Sequence, residues 1–225
     1  MVRWKGAKSL LEHEKDVWEQ GFGLIAGIDE VGRGCLFGDV VAAAVILPKG
    51  YVLEGVNDSK KLSEKKRDAL YEQIMNEAVA VGLGIVDVDT IEAINIKQAA
   101  RLAMKQAVEQ LKTRPDYLLV DAETVDMDMP QTAIIHGDAR SQSIAAASVI
   151  AKVTRDRMCA EWDELFPEYG LAVHKGYATK HHREMLLRYG PTPLHRKLFI
   201  RKVMAELEEK PAEGMSEQLE LDLPI

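Results

Sequence analysis

Much that would place a chain outside the cytoplasm or inside a membrane is missing from this sequence. Only two cysteines, Cys35 and Cys159, occur in 225 residues. Two are too few for a disulfide framework, so a reducing, cytoplasmic home is expected. No apolar run approaches the length of a membrane span, and the opening Met1-Val2-Arg3-Trp4-Lys5 lacks the apolar core of a secretion signal. Internal repeats and low-complexity segments are also absent. What remains is a hydrophobic fraction of 47% with 29% charged residues, the balance of a globular protein with one domain of ordinary size.

A net positive charge is lacking too. The formal total is −7, which by itself speaks against a nucleic-acid partner. Its distribution reverses that reading. Of the −7, −6 lies between Met204 and Ile225, leaving the rest near neutral. From His174 to Lys202 eight Lys or Arg face one acid, Glu184, a local +7. Such a patch can hold phosphates whatever the total, although a solvated helix face would look the same.

Apolar patterning predicts interleaved strands and helices, hence an α/β layered domain. Leu24–Ile28 is a short apolar run ending on Asp29-Glu30, and Val40–Leu47 reads as a buried strand stopped by Pro48. Ser63 caps a helix to about Ala78, followed by a strand over Val79–Val86. Asp89 with Glu92 resembles a capping box opening one long helix that ends before Pro115. Tyr117–Val120 is a strand ending on Asp121, and Thr132–Ile135 another, before the turn His136-Gly137-Asp138. Ser141 or Ser143 opens a helix to about Leu165. Further helices cover Thr179–Tyr189 and Leu194–Glu208, separated by Pro191-Thr192-Pro193. Expected boundaries are an N-terminal segment over 1–23, a domain over 24–209 that includes C-terminal helices, and a disordered acidic tail over 210–225.

Four acids sit where rigid elements end: Asp29, Glu30, Asp121 and Asp138. Clustered carboxylates repel one another unless cations neutralise them. Oxygen ligands without a nearby Cys or His set suit Mg²⁺ or Mn²⁺ rather than zinc, and paired ions of this kind serve phosphodiester hydrolysis. Singly, Asp138 fits a helix cap and Asp121 a strand-ending turn equally well. Spacing alone supports no more than a candidate metal site.

The residues around the acids say more. Gly27-Ile28-Asp29-Glu30-Val31-Gly32-Arg33-Gly34 resembles the opening signature of the bacterial ribonuclease HII (type 2 ribonuclease H) family. Asn57 to Leu62, Leu119-Val120-Asp121, Gly137-Asp138 with Ile144 to Asp156, and His174-Lys175-Gly176-Tyr177 with His195-Arg196 are similar to its later blocks, in family order. The resemblance implies an RNase H-like fold, a central mixed sheet flanked by helices with a C-terminal helical segment. It implies Asp29, Glu30, Asp121 and Asp138 as catalytic ligands of two Mn²⁺ or Mg²⁺ ions. The implied substrates are RNA–DNA hybrids and duplex DNA with embedded ribonucleotides, cut 5′ of the ribonucleotide to leave 3′-hydroxyl and 5′-phosphate ends. It also implies that Gly32, Arg33 and Gly34 read the ribose 2′-hydroxyl together with Tyr177. The alternative for Tyr177 is a buried core residue.

Ser59, Lys60, Lys61, Lys152, His174, Lys175, Arg183 and Arg196 are candidate phosphate contacts, which position a duplex without reading its sequence. Arg155 is expected to pair with an acid. The chain departs from the family pattern at Cys35-Leu36-Phe37-Gly38-Asp39, His136, Ala178 and Leu198, none of them a metal ligand. Two rivals are a type 3 ribonuclease H, which usually carries an extra N-terminal domain, and a non-catalytic nucleic-acid-binding module, which would have lost an acid. In the tail, Gln218, Leu219, Leu221 and Leu223 form a Q-L-x-L-x-L pattern resembling peptides that dock on the sliding clamp.

Overall fold

The computed structural model describes residues 10–56, 59 and 62–209. Five strands form one mixed sheet in the order β3-β2-β1-β4-β5. They are β1 (Ile25–Val31), β2 (Val40–Ile46), β3 (Ala80–Val86), β4 (Tyr117–Asp121) and β5 (Gln131–Ile134). β1, β2 and β3 pair antiparallel, whereas β4 joins β1, and β5 joins β4, in parallel.

Helices cover both faces, so β2 is apolar throughout rather than alternating. Ala42, Ala44 and Ile46 pack toward α4 (Ile96–Glu109), and Ala43 and Val45 toward α5 (Gln142–Leu165). The small residues let the helices come close. A β-carbon at Gly84 of β3 would overlap the Ala103 carbonyl of α4, and one at Gly27 of β1 would overlap the Ser143 backbone of α5.

Local signals set most helix starts. Ser63 caps α2 (Glu64–Glu77), Ser141 caps α5 and Thr179 caps α7 (Lys180–Tyr189), each side-chain oxygen accepting from a backbone N–H of the first turn. The capping box expected at Asp89 is not the one used. Asp87 accepts from Thr90 N at 2.8 Å and starts α3 (Val88–Ile94). The expected single long helix then breaks at Asn95, whose φ of 67° ends α3 while its side chain caps α4. Two short helices lie outside the expected set: α1 (Glu12–Glu19) and α6 (Leu171–His174). α1 is anchored by Glu14, whose buried carboxylate accepts from Ser141 Oγ at 2.6 Å and Ser143 N at 2.9 Å. α8 (Lys197–Glu209) is the last described element. Among the described residues no helix is long and apolar enough to cross a membrane.

Candidate active site

Two central parallel strands carry three of the four acids. Ile28 of β1 pairs with Val120 of β4, so Asp29 and Asp121, the next residues, end that register side by side. Asp138 lies in the 3₁₀ turn Gly137–Ala139 between β5 and α5. Gly137 N donates to Asp121 Oδ1 at 2.7 Å and binds this turn to the end of β4. Ala122 (φ 52°) and His136 (φ 55°) hold left-handed backbone beside the two acids although both carry a β-carbon. Each costs on the order of 1–2 kcal/mol, a strain that tends to gather at functional sites.

The electrostatics show convergence. Asp29 is 8% exposed, and burial pushes its carboxyl well above the ordinary carboxylate range. The charges of Glu30, Asp121 and Asp138 push in the same direction, against one backbone bond from Glu30 N at 2.8 Å. Burial also raises Glu30, while Arg33 opposes the rise through a 2.9 Å bond from Nη1 to Oε1. The second oxygen of Glu30 is buried and has no hydrogen-bond donor among the described residues.

An oxygen so placed, among repelling carboxylates, fits a hard divalent cation. The four acids do not yet form a finished shell. Among the described residues no three His, Cys, Asp or Glu side chains stand grouped as ready ligands. The charges of Glu30, Asp121 and Asp138 are nonetheless felt at Asp29.

Beside the acids lies the loop from Gly32 to Asp39. Gly32 has φ 94°, and a β-carbon on it would overlap the Arg155 guanidinium. Gly34 is exposed, and a β-carbon there would stand 4.0 Å from Tyr177 Cε1. Tyr177 is 41% exposed, which removes the buried-core alternative. Leu36 N donates to Gly176 O at 2.8 Å, joining this loop to the turn that carries Tyr177. Cys35 and Phe37, departures from the family pattern, are fully buried packing residues. Phe37 meets His195 edge-on at 4.8 Å between ring centres.

The expected cationic contacts divide. Arg183 is exposed and Lys175 partly so. Lys152 is engaged by Asp156, which also faces Arg67 at 3.7 Å. His174 is half-buried, with Nε2 on Tyr169 O at 2.7 Å and Nδ1 accepting from Gly176 N at 3.2 Å. Ser59 is buried, its carbonyl bonded by Arg67 Nη1 at 3.2 Å.

Arg196 is wholly buried and donates to the carbonyls of Gly38 and Arg33. That placement binds the loop rather than a phosphate in solvent. Arg155, expected to face an acid, instead donates to the carbonyls of Asp39, Phe37 and Lys175. Sequence held a signal for this: Ile144, Ser148, Ala151, Arg155 and Cys159 follow helical spacing and are all buried. His182 and Arg67 were missed, since neither stands in a pattern that marks a role. Lys60, Lys61, Gln218, Leu219, Leu221 and Leu223 lie outside the described residues.

Comparison with known proteins agrees with the geometry. The family model described as Ribonuclease HII matches residues 26–202. A Ribonuclease HII of Alkaliphilus metalliredigens is 60% identical over 200 residues, covering 86% of this chain and 98% of the relative. Among solved structures, the ribonuclease H2 of Pyrococcus horikoshii OT3 superposes with a TM-score of 0.71 at 23% identity, covering 83% of this chain and 100% of that one. The structure of the PCNA:RNase HII complex of Archaeoglobus fulgidus gives 0.66 at 29% identity, covering 77% and 93%.

Proposed function

The chain belongs to the ribonuclease HII family, and from that premise we propose that it cuts duplex DNA on the 5′ side of an embedded ribonucleotide, and the RNA strand of RNA–DNA hybrids. It is a type 2 ribonuclease H. The observation that supports the finer reading is that β1 and β4 end side by side on Asp29 and Asp121, with Glu30 next to Asp29 and Asp138 in the turn that Gly137 N ties to Asp121.

These four carboxylates would hold two Mg²⁺ or Mn²⁺ ions. When bound, such ions lower the pKa of an attacking water and stabilise the leaving oxygen. The chain's own residues do the rest. Arg33 holds Glu30 through one oxygen, while the other is buried with no donor among the described residues. Gly137 N holds Asp121 in the same way. Exposed Gly34 lets the backbone approach the minor groove, where a 2′-hydroxyl distinguishes RNA from DNA, while Gly32 makes room for the Arg155 side chain that holds the loop. The exposed ring of Tyr177 packs on the following sugar, where a deoxyribose leaves room. Lys175 and Arg183 supply exposed charge for phosphates. Ser59, Lys60, Lys61, Lys152 and His174 stand in the same proposed substrate set.

The test offers the purified chain a DNA duplex with one ribonucleotide, an all-DNA duplex and an RNA–DNA hybrid, with and without Mn²⁺ or Mg²⁺. Cleavage 5′ of the single ribonucleotide, with 3′-hydroxyl ends and only in the presence of metal, is expected. Cutting of the hybrid with the single-ribonucleotide duplex left intact would favour a type 3 specificity.

A sliding clamp is the proposed protein partner. The related Archaeoglobus fulgidus protein was solved in a complex with PCNA, and Gln218 to Leu223 has the composition of a short docking peptide.

A further inference from the structure

Two arginines are buried with no carboxylate in ion-pair contact among the described residues, although the charge of Asp39 is felt by both. Arg155 is 1% exposed and Arg196 is fully buried. Neither forms an ion pair among the described residues. A buried charge is normally paired with an opposite one. These two are met by backbone carbonyls.

The carbonyls come almost entirely from one loop. Arg155 Nε donates to Asp39 O at 3.0 Å and Nη2 to Phe37 O at 2.9 Å. Arg196 Nε donates to Gly38 O at 2.8 Å and Nη1 to Arg33 O at 3.1 Å. The fifth bond crosses to the neighbouring turn: Arg155 Nη1 reaches Lys175 O at 2.8 Å. One guanidinium therefore grips the Gly32–Asp39 loop and, two residues from Tyr177, the turn that carries the tyrosine. Nη2 of Arg196 finds no acceptor among the described residues. Burial drags the pKa of Arg196 down to about 10, so the charge is held there against a desolvation cost. Fold stability alone gives no reason for that, because apolar side chains of similar size fill a core as well or better. A planar fork with fixed donors, however, sets carbonyl directions in a way that an apolar side chain cannot.

We propose that Arg155 and Arg196 are positioning residues for substrate discrimination, fixing Arg33 and Gly34 at a set distance from Tyr177 so that loop and ring grip one ribose between them. The proposal rests on the reading that this loop and Tyr177 recognise the ribose. An isolated ribonucleotide offers a single place where the grip can close. A long hybrid offers a ribose at every step, so a loosened loop finds another register.

The test compares Arg155→Lys and Arg196→Lys with the unaltered enzyme, each keeping a charge but losing the fork. For each, kcat/KM is measured on a single-ribonucleotide duplex and on a continuous RNA–DNA hybrid of the same sequence. Displacements of about 1 Å can cost about 100-fold, so a fall of roughly 10- to 100-fold is expected on the single ribonucleotide, with a much smaller fall on the hybrid. Equal losses on both substrates, or no loss, would overturn the proposal, as would failure of both variants to fold, since the role would then be structural. Tyr177→Ala, measured alongside, separates the two readings. If it leaves the ratio of the two activities unchanged, reading of the ribose by this tyrosine is wrong. If it lowers the ratio while both lysine variants keep it, the arginine proposal alone falls. Combining Tyr177→Ala with Arg196→Lys should add little further loss on the single ribonucleotide, because both disable one grip.

Discussion

His182 and His195 face each other Nε2 to Nε2 at 3.2 Å, each almost wholly shielded from water. The surrounding bonds assign their protons. Thr192 N donates to His195 Nδ1 at 2.9 Å, so that nitrogen is bare and the proton of the neutral ring sits on Nε2. His195 Nε2 then donates to His182 Nε2, and the remaining His182 proton, on Nδ1, reaches Tyr177 O at 2.9 Å. Both rings are neutral with no room for a further proton.

Acid should therefore unsettle the fold through this pair. Burial pushes His182 down to about 4 and His195 down to about 3. An unfolded histidine titrates near 6.5, so below that pH the unfolded chain binds more protons than the folded one. The stability contributed by neutral burial is fully present above pH 6.5 and is lost as pH falls toward 4 and then 3. Each histidine contributes up to about 1.4 kcal/mol per pH unit across that window. Urea denaturation at pH 7.5 and 5.0 checks this, with His195→Asn as the comparison. A wild-type protein no more acid-sensitive than the variant would show that the pair does not titrate as described.

Loss of one central carboxylate should separate activity from stability. Asp29→Asn removes a charge that burial and three neighbouring acids oppose. Cleavage should fall on the order of 100-fold or more, the scale seen when one electrostatic stabiliser is deleted. In chelator the variant should melt higher than the unaltered protein, and addition of Mn²⁺ should raise the wild-type melting temperature more than the variant's. An Asp29→Asn enzyme that cuts near the normal rate, or a wild type whose melting ignores Mn²⁺, would remove Asp29 from the metal site.

Sequence made the strands and the acids legible, because both depend on near neighbours. The β2 run Val40–Ile46 and the caps Ser63, Ser141 and Thr179 declare themselves within a few residues. The break at Asn95 was not legible. Asp87 and Asp89 are both acceptable caps, and the one local mark of the break, Asn95 as a residue type suited to caps and to positive φ, is lost inside a continuous helical apolar pattern. The roles of the arginines were hidden for another reason. Arg155 meets Asp39 and Phe37, residues more than a hundred positions away, and Arg196 looks like any other cation in the His174–Lys202 patch until the fold buries it. A pattern of charge reports composition, whereas burial is decided by partners remote in sequence.

That distinction bears on which cations meet phosphate. Lys175 and Arg183 keep solvent access, so their charge is free to displace counterions from a duplex. Each phosphate contact steepens the dependence of log K on log salt by about 0.9. Replacing both residues with alanine should flatten the slope by up to about 1.8. Fluorescence anisotropy with labelled duplex, in metal-free buffer across a salt series, measures it. A slope unchanged by the double variant would place these side chains away from the DNA.

The tail calls for a different experiment, since its interest lies in sequence alone. Residues 210–225 carry Gln218, Leu219, Leu221 and Leu223 behind a run of acids. A glutamine amide can bond at a pocket rim while alternating leucines enter apolar pockets. Docking would raise the enzyme's local concentration on newly made DNA without any new contact at the active site. A version ending at Met215 should therefore lose binding to purified bacterial sliding clamp yet cut short duplexes at the full rate. Replacing Leu221 and Leu223 with alanine should weaken binding about 100-fold or more, since each buried leucine is worth about 1.5–3 kcal/mol and about 1.4 kcal/mol is tenfold. Clamp binding that survives truncation would place the contact elsewhere on the domain, and an intact chain that shows none would end the tethering idea.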